Sequence, residues 1–326
     1  MQSANMLDRK RRILAITGGV GGAKLALGLS KVLGADELVF AVNTGDDFEH
    51  LGLHISPDID SLTYALAEEN NQELGWGRQG ETWQFIETLN ALGGEAWFRL
   101  GDKDMALHTR RTELIRQGAS LTDATAEIRK AIGIEHDILP MSNDPVRTIV
   151  HSDQGDLAFQ HYFVRERCEP AVSGFTFDRI EDAHLNPKIR EWLKACSGVV
   201  ICPSNPYVSV DPLLKLDGFA ELLTDVPVIA ISPIVGGMAI KGPAAKMMAE
   251  LNVPASAEAV AQHYATHYPG LLNGFVIDKT DENQQIAITD QLKIPTIVTN
   301  TIMVTLDDRV ALADTSLGFL RDLTVE

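Results

Sequence analysis

Residues 13–24 leave this chain few ways to fold: Ile-Leu-Ala-Ile-Thr runs straight into Gly-Gly-Val-Gly-Gly-Ala-Lys. A short apolar run of this kind predicts a parallel strand buried on both faces. The glycines Gly18 to Gly22 must break it. From Ala23 to Leu33 the apolar residues Leu25, Leu29, Val32 and Leu33 fall at i, i+4, i+7 and i+8, the spacing of an amphipathic helix. Gly34 follows as its expected C-cap. A second apolar run, Leu38 to Val42, ends at Asn43-Thr44-Gly45-Asp46-Asp47. Strand, glycine turn, helix, strand is the start of a right-handed βαβ unit.

The second half repeats the alternation. Val199–Cys202, Val226–Ile231, Phe275–Ile277 and Thr296–Val298 read as short strands, with helical stretches such as Pro243–Leu251 and Ala257–His267 between them. An α/β fold is expected, a Rossmann-like open and mostly parallel sheet. The middle differs: residues 61–133 carry helical spacing with Trp76, Trp83, Trp97 and Phe98, and residues 146–178 look like a β-excursion whose clearest strand is Leu157–Val164. The expected organisation is a core of residues 12–62 and 146–326, a largely helical cap inserted at 63–145, and a flexible N-terminal segment at 1–11.

Charge narrows the partners. The 326 residues carry 28 Lys and Arg against 45 Asp and Glu, a formal charge of −17. A nucleic-acid backbone is not an expected partner, because no basic stripe is available to release its counterions. Small anions need local Lys or Arg, backbone N–H groups or a bridging metal ion. Three cysteines, Cys168, Cys196 and Cys202, form no CxxC pair and suggest a reducing compartment. Arg9-Lys10-Arg11-Arg12 before Ile13–Ile16 superficially resembles a signal peptide, but the apolar run is too short. No run approaches the ~18 apolar residues of a membrane span. The expectation is a cytoplasmic protein.

Candidate chemistry gathers at predicted strand ends, where open α/β sheets bind ligands. Gly18, Gly19, Gly21, Gly22 and Lys24 sit at a helix N-terminus, which attracts phosphate. The segment lacks the Gly-Lys-Ser/Thr of a P-loop, and Lys24 replaces the third glycine of a dinucleotide fingerprint. An NAD(P) oxidoreductase is therefore disfavoured. Asp46 and Asp47 end the second strand, and Asp58 and Asp60 follow in Ser-Pro-Asp-Ile-Asp. Asp58 alone reads as a helix cap. The four together suit a hard divalent cation such as Mg²⁺, and spacing leaves both readings open. Ser204 and Asn205 in Cys-Pro-Ser-Asn-Pro, and Ser232, Gly236 and Gly237 followed by Lys241 and Lys246, mark two more loops suited to anions. No G-x-S-x-G elbow supports serine hydrolase chemistry.

In this order the segments Gly18–Lys24, Asn43–Asp47, Ser56–Asp60, Gly101–Arg111 with 118–122, Leu139–Val146, Pro203–Pro206 and Ser232–Lys246 resemble the 2-phospho-L-lactate transferase family of coenzyme F-420 biosynthesis. The glycine turn departs from the archaeal Gly-Gly-Thr-Gly-Thr-Pro-Lys and stands closer to the bacterial branch. The resemblance implies a transferase of substituted phosphate groups. It would move a phospholactyl-type group from a guanylyl diphosphate donor to the terminal ribityl hydroxyl of the deazaflavin Fo, releasing GMP, with Mg²⁺ as cofactor. Whether lactate, enolpyruvate or glycerate is carried stays open. By the same resemblance Asp60 and Asp47 are catalytic; Asp60, Lys103, Asp58 and His108 meet Fo; and Asp46, Asp47 and Asp60 hold the metal. The glycine turn, Lys24, Ser204, Asn205, Ser232, Gly236, Gly237 and Lys246 would hold the donor. The tryptophans of the insertion would cap the deazaflavin or serve packing alone. A homodimer is implied as well. The alternative is a regulatory protein of the gluconeogenesis-factor-like family, which binds nucleotide sugars without group transfer and should lack the 101–111 and 139–146 segments.

Overall fold

In the computed structural model residues 12–71, 76–239 and 242–323 are described; the segment 1–11 and Lys241 lie outside them. Seven strands form one parallel sheet: β1 (Ile13–Thr17), β2 (Leu38–Val42), β3 (Asp137–Pro140), β4 (Gly198–Ile201), β5 (Val228–Ile231), β6 (Gly274–Asp278) and β7 (Thr296–Thr299). Their order is β7-β6-β5-β4-β1-β2-β3, with every ladder parallel. The chain therefore winds one way from β1 through β2 to β3, then back across β1 to β4 and outward. The crevice at the carboxyl ends of β1 and β4 is the switch point at which such sheets bind ligands.

Strand periodicity divides the core in two. Leu14, Ile16, Val39 and Ala41 face one layer, and Ile13, Ala15, Leu38 and Phe40 face the other. All five residues of β1 are buried, as expected of a central strand covered on both faces. The helices that position the site are α1 (Gly19–Val32), α2 (Pro57–Leu66), α3 (Asp102–Arg116), α4 (Leu121–Ala131) and α5 (Leu306–Asp322). Among the described residues no helix is long and apolar enough to cross a membrane.

Helix α5 lies directly on α1. A Cβ built on Gly28 would stand 2.2 Å from the carbonyl oxygen of Arg309, so only glycine permits this approach. Gly28→Ala gains up to about 1 kcal/mol of helix propensity. The overlap costs more, and a net loss of about 1–3 kcal/mol is expected in a urea titration.

Three expectations change. β3 is the edge strand of the main sheet, so the stretch 63–145 includes core residues at its carboxyl end. Leu157–Val164 is a strand only to Ala158, within an antiparallel sheet of residues 147–152, 155–158 and 172–178. Residues 161–165 form a π-helical turn instead, and Phe159 stacks on Phe163 at 5.5 Å. An aromatic pair four residues apart favours this helical arrangement over an extended one, which would put them on the same face but far apart. Helix α1 begins at Gly19 and is capped by Leu33 in extended conformation rather than by Gly34.

Candidate active site

Asp46 and Asp47 follow β2 within five residues, Asp58 and Asp60 lie in the first turn of α2, and each of the four is 6% exposed or less. The sequence puts them there in two steps. The polar segment after β2 turns at Gly45, where a Cβ would press on Thr148 Oγ1 at 2.8 Å. A short hairpin of Phe48–His50 and Leu53–Ile55 then returns the chain to Pro57, which opens α2 with its fixed φ.

Asp58 does not cap its own helix, whose N-cap is Ser56; its oxygens bond to other elements. Its Oδ1 accepts the Gly19 N–H at 2.7 Å and its Oδ2 accepts Asn43 Nδ2 at 2.9 Å. The N-terminus of α1 thus already holds a carboxylate of the protein itself. The neighbouring N–H of Gly18 donates to Ser204 Oγ at 3.2 Å. Gly22 is required beneath this loop, since a Cβ there would lie 2.3 Å from Thr17 Oγ1 and 2.6 Å from Ser204 Oγ. Asp47 has one oxygen tied and one free. Ser56 Oγ donates to Oδ2 at 2.8 Å and His54 Nε2 lies 3.1 Å from it, while Oδ1 has no partner. Asp46 Oδ1, Thr17 Oγ1, Thr44 Oγ1 and Thr148 Oγ1 are likewise buried and unpartnered.

Asp60 is arranged differently. Arg111, on α3 and 1% exposed, donates to both of its oxygens, from Nη1 to Oδ2 at 3.2 Å and from Nη2 to Oδ1. His108, one turn earlier, places Nδ1 3.6 Å from Asp60 Oδ2. Burial pushes the His108 imidazole down to about 4, so it is neutral near pH 7. It is 2% exposed and braces the ion pair rather than reaching into open space.

The carboxylates repel protonation-dependent charge from one another. Burial raises Asp46 well above its ordinary range, and the charges of Asp58 and Asp47 push it further. Burial also raises Asp58 to about 6, against the hydrogen bonds from Asn43 and Gly19. Such a group calls for a cation. No set of three or more His, Cys, Asp or Glu among the described residues forms a closed metal cage. Mg²⁺ needs none, because it binds through one or two carboxylates and completes its shell with substrate oxygens and water. The free Oδ1 atoms of Asp46 and Asp47 fit that requirement, whereas Asp60 is committed to Arg111.

The other residues singled out in the sequence are scattered. Lys103 is exposed at the start of α3, with Nζ donating to the Gln79 carbonyl at 3.2 Å, and does not contact Asp60. Asn205 caps a π-helical turn through Tyr207 N–H. Ser232 bonds to its own loop at Ile234, and Gly236 and Gly237 form a hairpin turn at positive φ. Lys246 pairs with Glu250 and donates to the Pro170 carbonyl at 3.0 Å. Among the described residues no hydrogen bond ties any of these six to the glycine turn. Sequence reading passed over Asn43, His54, Ser56 and Arg111 as site residues. Arg111 had a detectable signal, being a basic residue three positions after His108 on one helix face.

Asp104 gives a measurable pH dependence. Its Oδ1 accepts the Tyr64 hydroxyl at 2.5 Å, and burial raises it to about 7. The folded chain keeps this proton to about pH 7, whereas the unfolded chain loses it near pH 4. Stability therefore falls as pH rises through that window, by on the order of 2–4 kcal/mol, and stays lower above it. Asp104→Asn should flatten this slope and raise the denaturation midpoint at pH 8. A slope unchanged by the substitution would assign the dependence elsewhere.

A parallel sheet in this order with polar, carboxylate-lined strand ends at its switch point defines a Rossmann-like ligand-binding enzyme core. Sequence comparison makes the assignment narrower. The CofD family, 2-phospho-L-lactate transferase, matches residues 13–314, and the chain belongs to it. The 2-phospho-L-lactate transferase of Methanosarcina mazei is 36% identical over 275 residues, 84% of this chain and 89% of that one. A phosphoenolpyruvate transferase of Streptomyces griseus is 37% identical over 279 residues, 83% of this chain and 86% of that one. A solved UPF0052-family protein of Bacillus halodurans shares the fold, with a TM-score of 0.64 at 15% identity, covering 94% of this chain and 99% of its own. The chain is thus a transferase of this type, and the oxidoreductase and purely regulatory readings fall away.

Proposed function

We propose that the chain transfers a phospholactyl-type group from a guanylyl diphosphate donor to the terminal ribityl hydroxyl of Fo, yielding GMP and a coenzyme F-420 precursor. The observation that carries this reading is the pair of free, buried carboxylate oxygens on Asp46 and Asp47 beside the glycine turn. In the reaction the hydroxyl oxygen attacks the phosphorus that bears the carried acid. A new P–O bond forms, and the diphosphate P–O bond breaks. GMP departs with the electron pair, and the hydroxyl proton passes to a carboxylate of the cluster. Phosphoryl transfer of this kind depends on positioning and charge neutralisation more than on covalent help. Mg²⁺ held by Asp46 and Asp47 would supply neutralisation of the diphosphate charge in a chain of charge −17. Asp60, fixed by Arg111, presents a permanently oriented anion for the acceptor to hydrogen-bond. His54 and Ser56 hold Asp47 in one rotamer.

The relatives carry both phospholactate and phosphoenolpyruvate names at nearly equal identity, so the carried acid is an experimental question. Protein, Mg²⁺ and Fo should be mixed with equal amounts of the guanylyl diphosphates of lactate, enolpyruvate and glycerate, and the products read by mass spectrometry. One dominant Fo adduct with matching GMP is expected. No adduct with excess Fo would sink the reading.

A further inference from the structure

One wall of the carboxylate site is a π-helical turn, Pro206–Val210, buried along its whole length. It meets the site at three places. The Val208 carbonyl accepts Asn43 Nδ2 at 3.2 Å, and the same nitrogen donates to Asp58 Oδ2 at 2.9 Å. A Cβ on Gly18 would stand 2.7 Å from Ser209 Cβ, so the turn presses directly on the glycine loop. A Cβ on Gly45 would stand 3.3 Å from Pro212 Cβ, so the residues after the turn flank the loop that carries Asp46. Any shift of the turn therefore reaches both sides of the site.

The wide winding of a π-helical turn is rare, and such turns are frequent at functional sites. This one is fastened at both ends. Asn205 holds the near end, its side chain accepting the Tyr207 N–H at 3.0 Å. Asp211 holds the far end. It is 5% exposed; its Oδ1 accepts the Tyr268 hydroxyl at 3.0 Å and lies 2.9 Å from His263 Nε2. Lys215 Nζ stands 4.0 Å from its Oδ2. The His263 ring also meets Tyr207 edge-on at 4.9 Å, and Tyr207 stacks on Phe175 at 5.8 Å.

Packing alone does not call for this arrangement. Burying the Asp211 carboxylate costs free energy that an apolar side chain would avoid. Directional bonds from two donors fix a position in a way that apolar contact does not. The donors come from the helix Ala257–His267 and its C-cap Tyr268, 52 and 57 positions along the chain.

We propose that Asp211, His263 and Tyr268 form a positioning latch for the transfer reaction. They touch no substrate. They fix the 206–210 turn, and through it the spacing between the glycine loop and the carboxylates. This role rests on the transfer reaction proposed above.

Steady-state kinetics with Fo and Mg²⁺ on Asp211→Ala, Asp211→Asn and Tyr268→Phe test it. Turnover of folded Asp211→Ala is expected to fall about tenfold to a hundredfold with KM for Fo little changed, the penalty of a small misplacement of reacting groups. Asp211→Asn keeps an acceptor for both donors and should recover most of that loss. Tyr268→Phe removes one of the two bonds and should fall between them. Hydrogen exchange read by mass spectrometry needs no turnover: residues 17–24 should exchange faster in Asp211→Ala and recover in Asp211→Asn. If Asp211→Ala does not fold, Tyr268→Phe carries both measurements. Loss of stability in urea with turnover and exchange intact would make the cluster a packing element and overturn the proposal. Unchanged behaviour of the folded variants would overturn it as well. A wild-type protein without transfer activity would overturn the reaction instead, and exchange would still decide whether the latch sets the loop.

Discussion

An Asp46→Asn protein is expected to lose turnover by on the order of a thousandfold while becoming more stable, not less. The two effects share one cause. Asp46 is 5% exposed, its Oδ1 has no partner, and Asp58 and Asp47 crowd it with like charge. Folding at neutral pH must therefore bring together carboxylates that water would keep apart. Asparagine keeps the shape and removes one charge from the cluster. The thermal midpoint should rise at pH 8 and converge with that of the wild-type protein only below about pH 4, where the carboxyl is protonated in the folded and the unfolded chain. The same charge is what would hold Mg²⁺ against a diphosphate, so the gain in stability comes with loss of reaction. Parallel melting curves and the Fo-adduct assay check both halves. An Asp46→Asn protein that melts lower at pH 8 would mean that like charge on Asp46 does not limit stability.

The opposite outcome is expected at Arg111. Arg111→Met should lower stability by about 3–5 kcal/mol, because Asp60 then remains as a buried anion with no partner. Asp60→Asn alone should be destabilising too, through the stranded guanidinium. The double variant should cost much less than the sum of the two, and a double-mutant cycle in urea measures the difference. Strict additivity would show that the two groups do not depend on each other. The pair also bears on the proposed reaction: Asp60→Asn is expected to abolish turnover while the donor still binds, as an anion that orients the acceptor requires. An Asp60→Asn protein that kept full turnover would remove Asp60 from the site.

Much of the framework was legible in the chain. Ile13–Thr17, Leu38–Val42 and the four strands of the second half follow from apolar runs of strand length, and Ala257–His267 from helical spacing. These signals are local: side-chain direction alternates every residue in a strand and repeats every 3.6 in a helix, so neighbours in sequence report on it. The clustering of Asp46, Asp47, Asp58 and Asp60 was legible for the same reason, since only a short hairpin separates the two pairs.

Tertiary structure alone decided what each carboxylate does. Asp58 meets Gly19 across 39 positions and Asp60 meets Arg111 across 51, so no local period records either contact. Those two bonds put Asp58 on the N-terminus of α1 and Asp60 in an ion pair with Arg111. Arg309 and Gly28, almost at opposite ends of the chain, meet only because α5 packs on α1. Local periodicity determines which elements form. Which charges are paired, and which are left free for a ligand, depends on long-range packing that brings distant side chains into the same dry space.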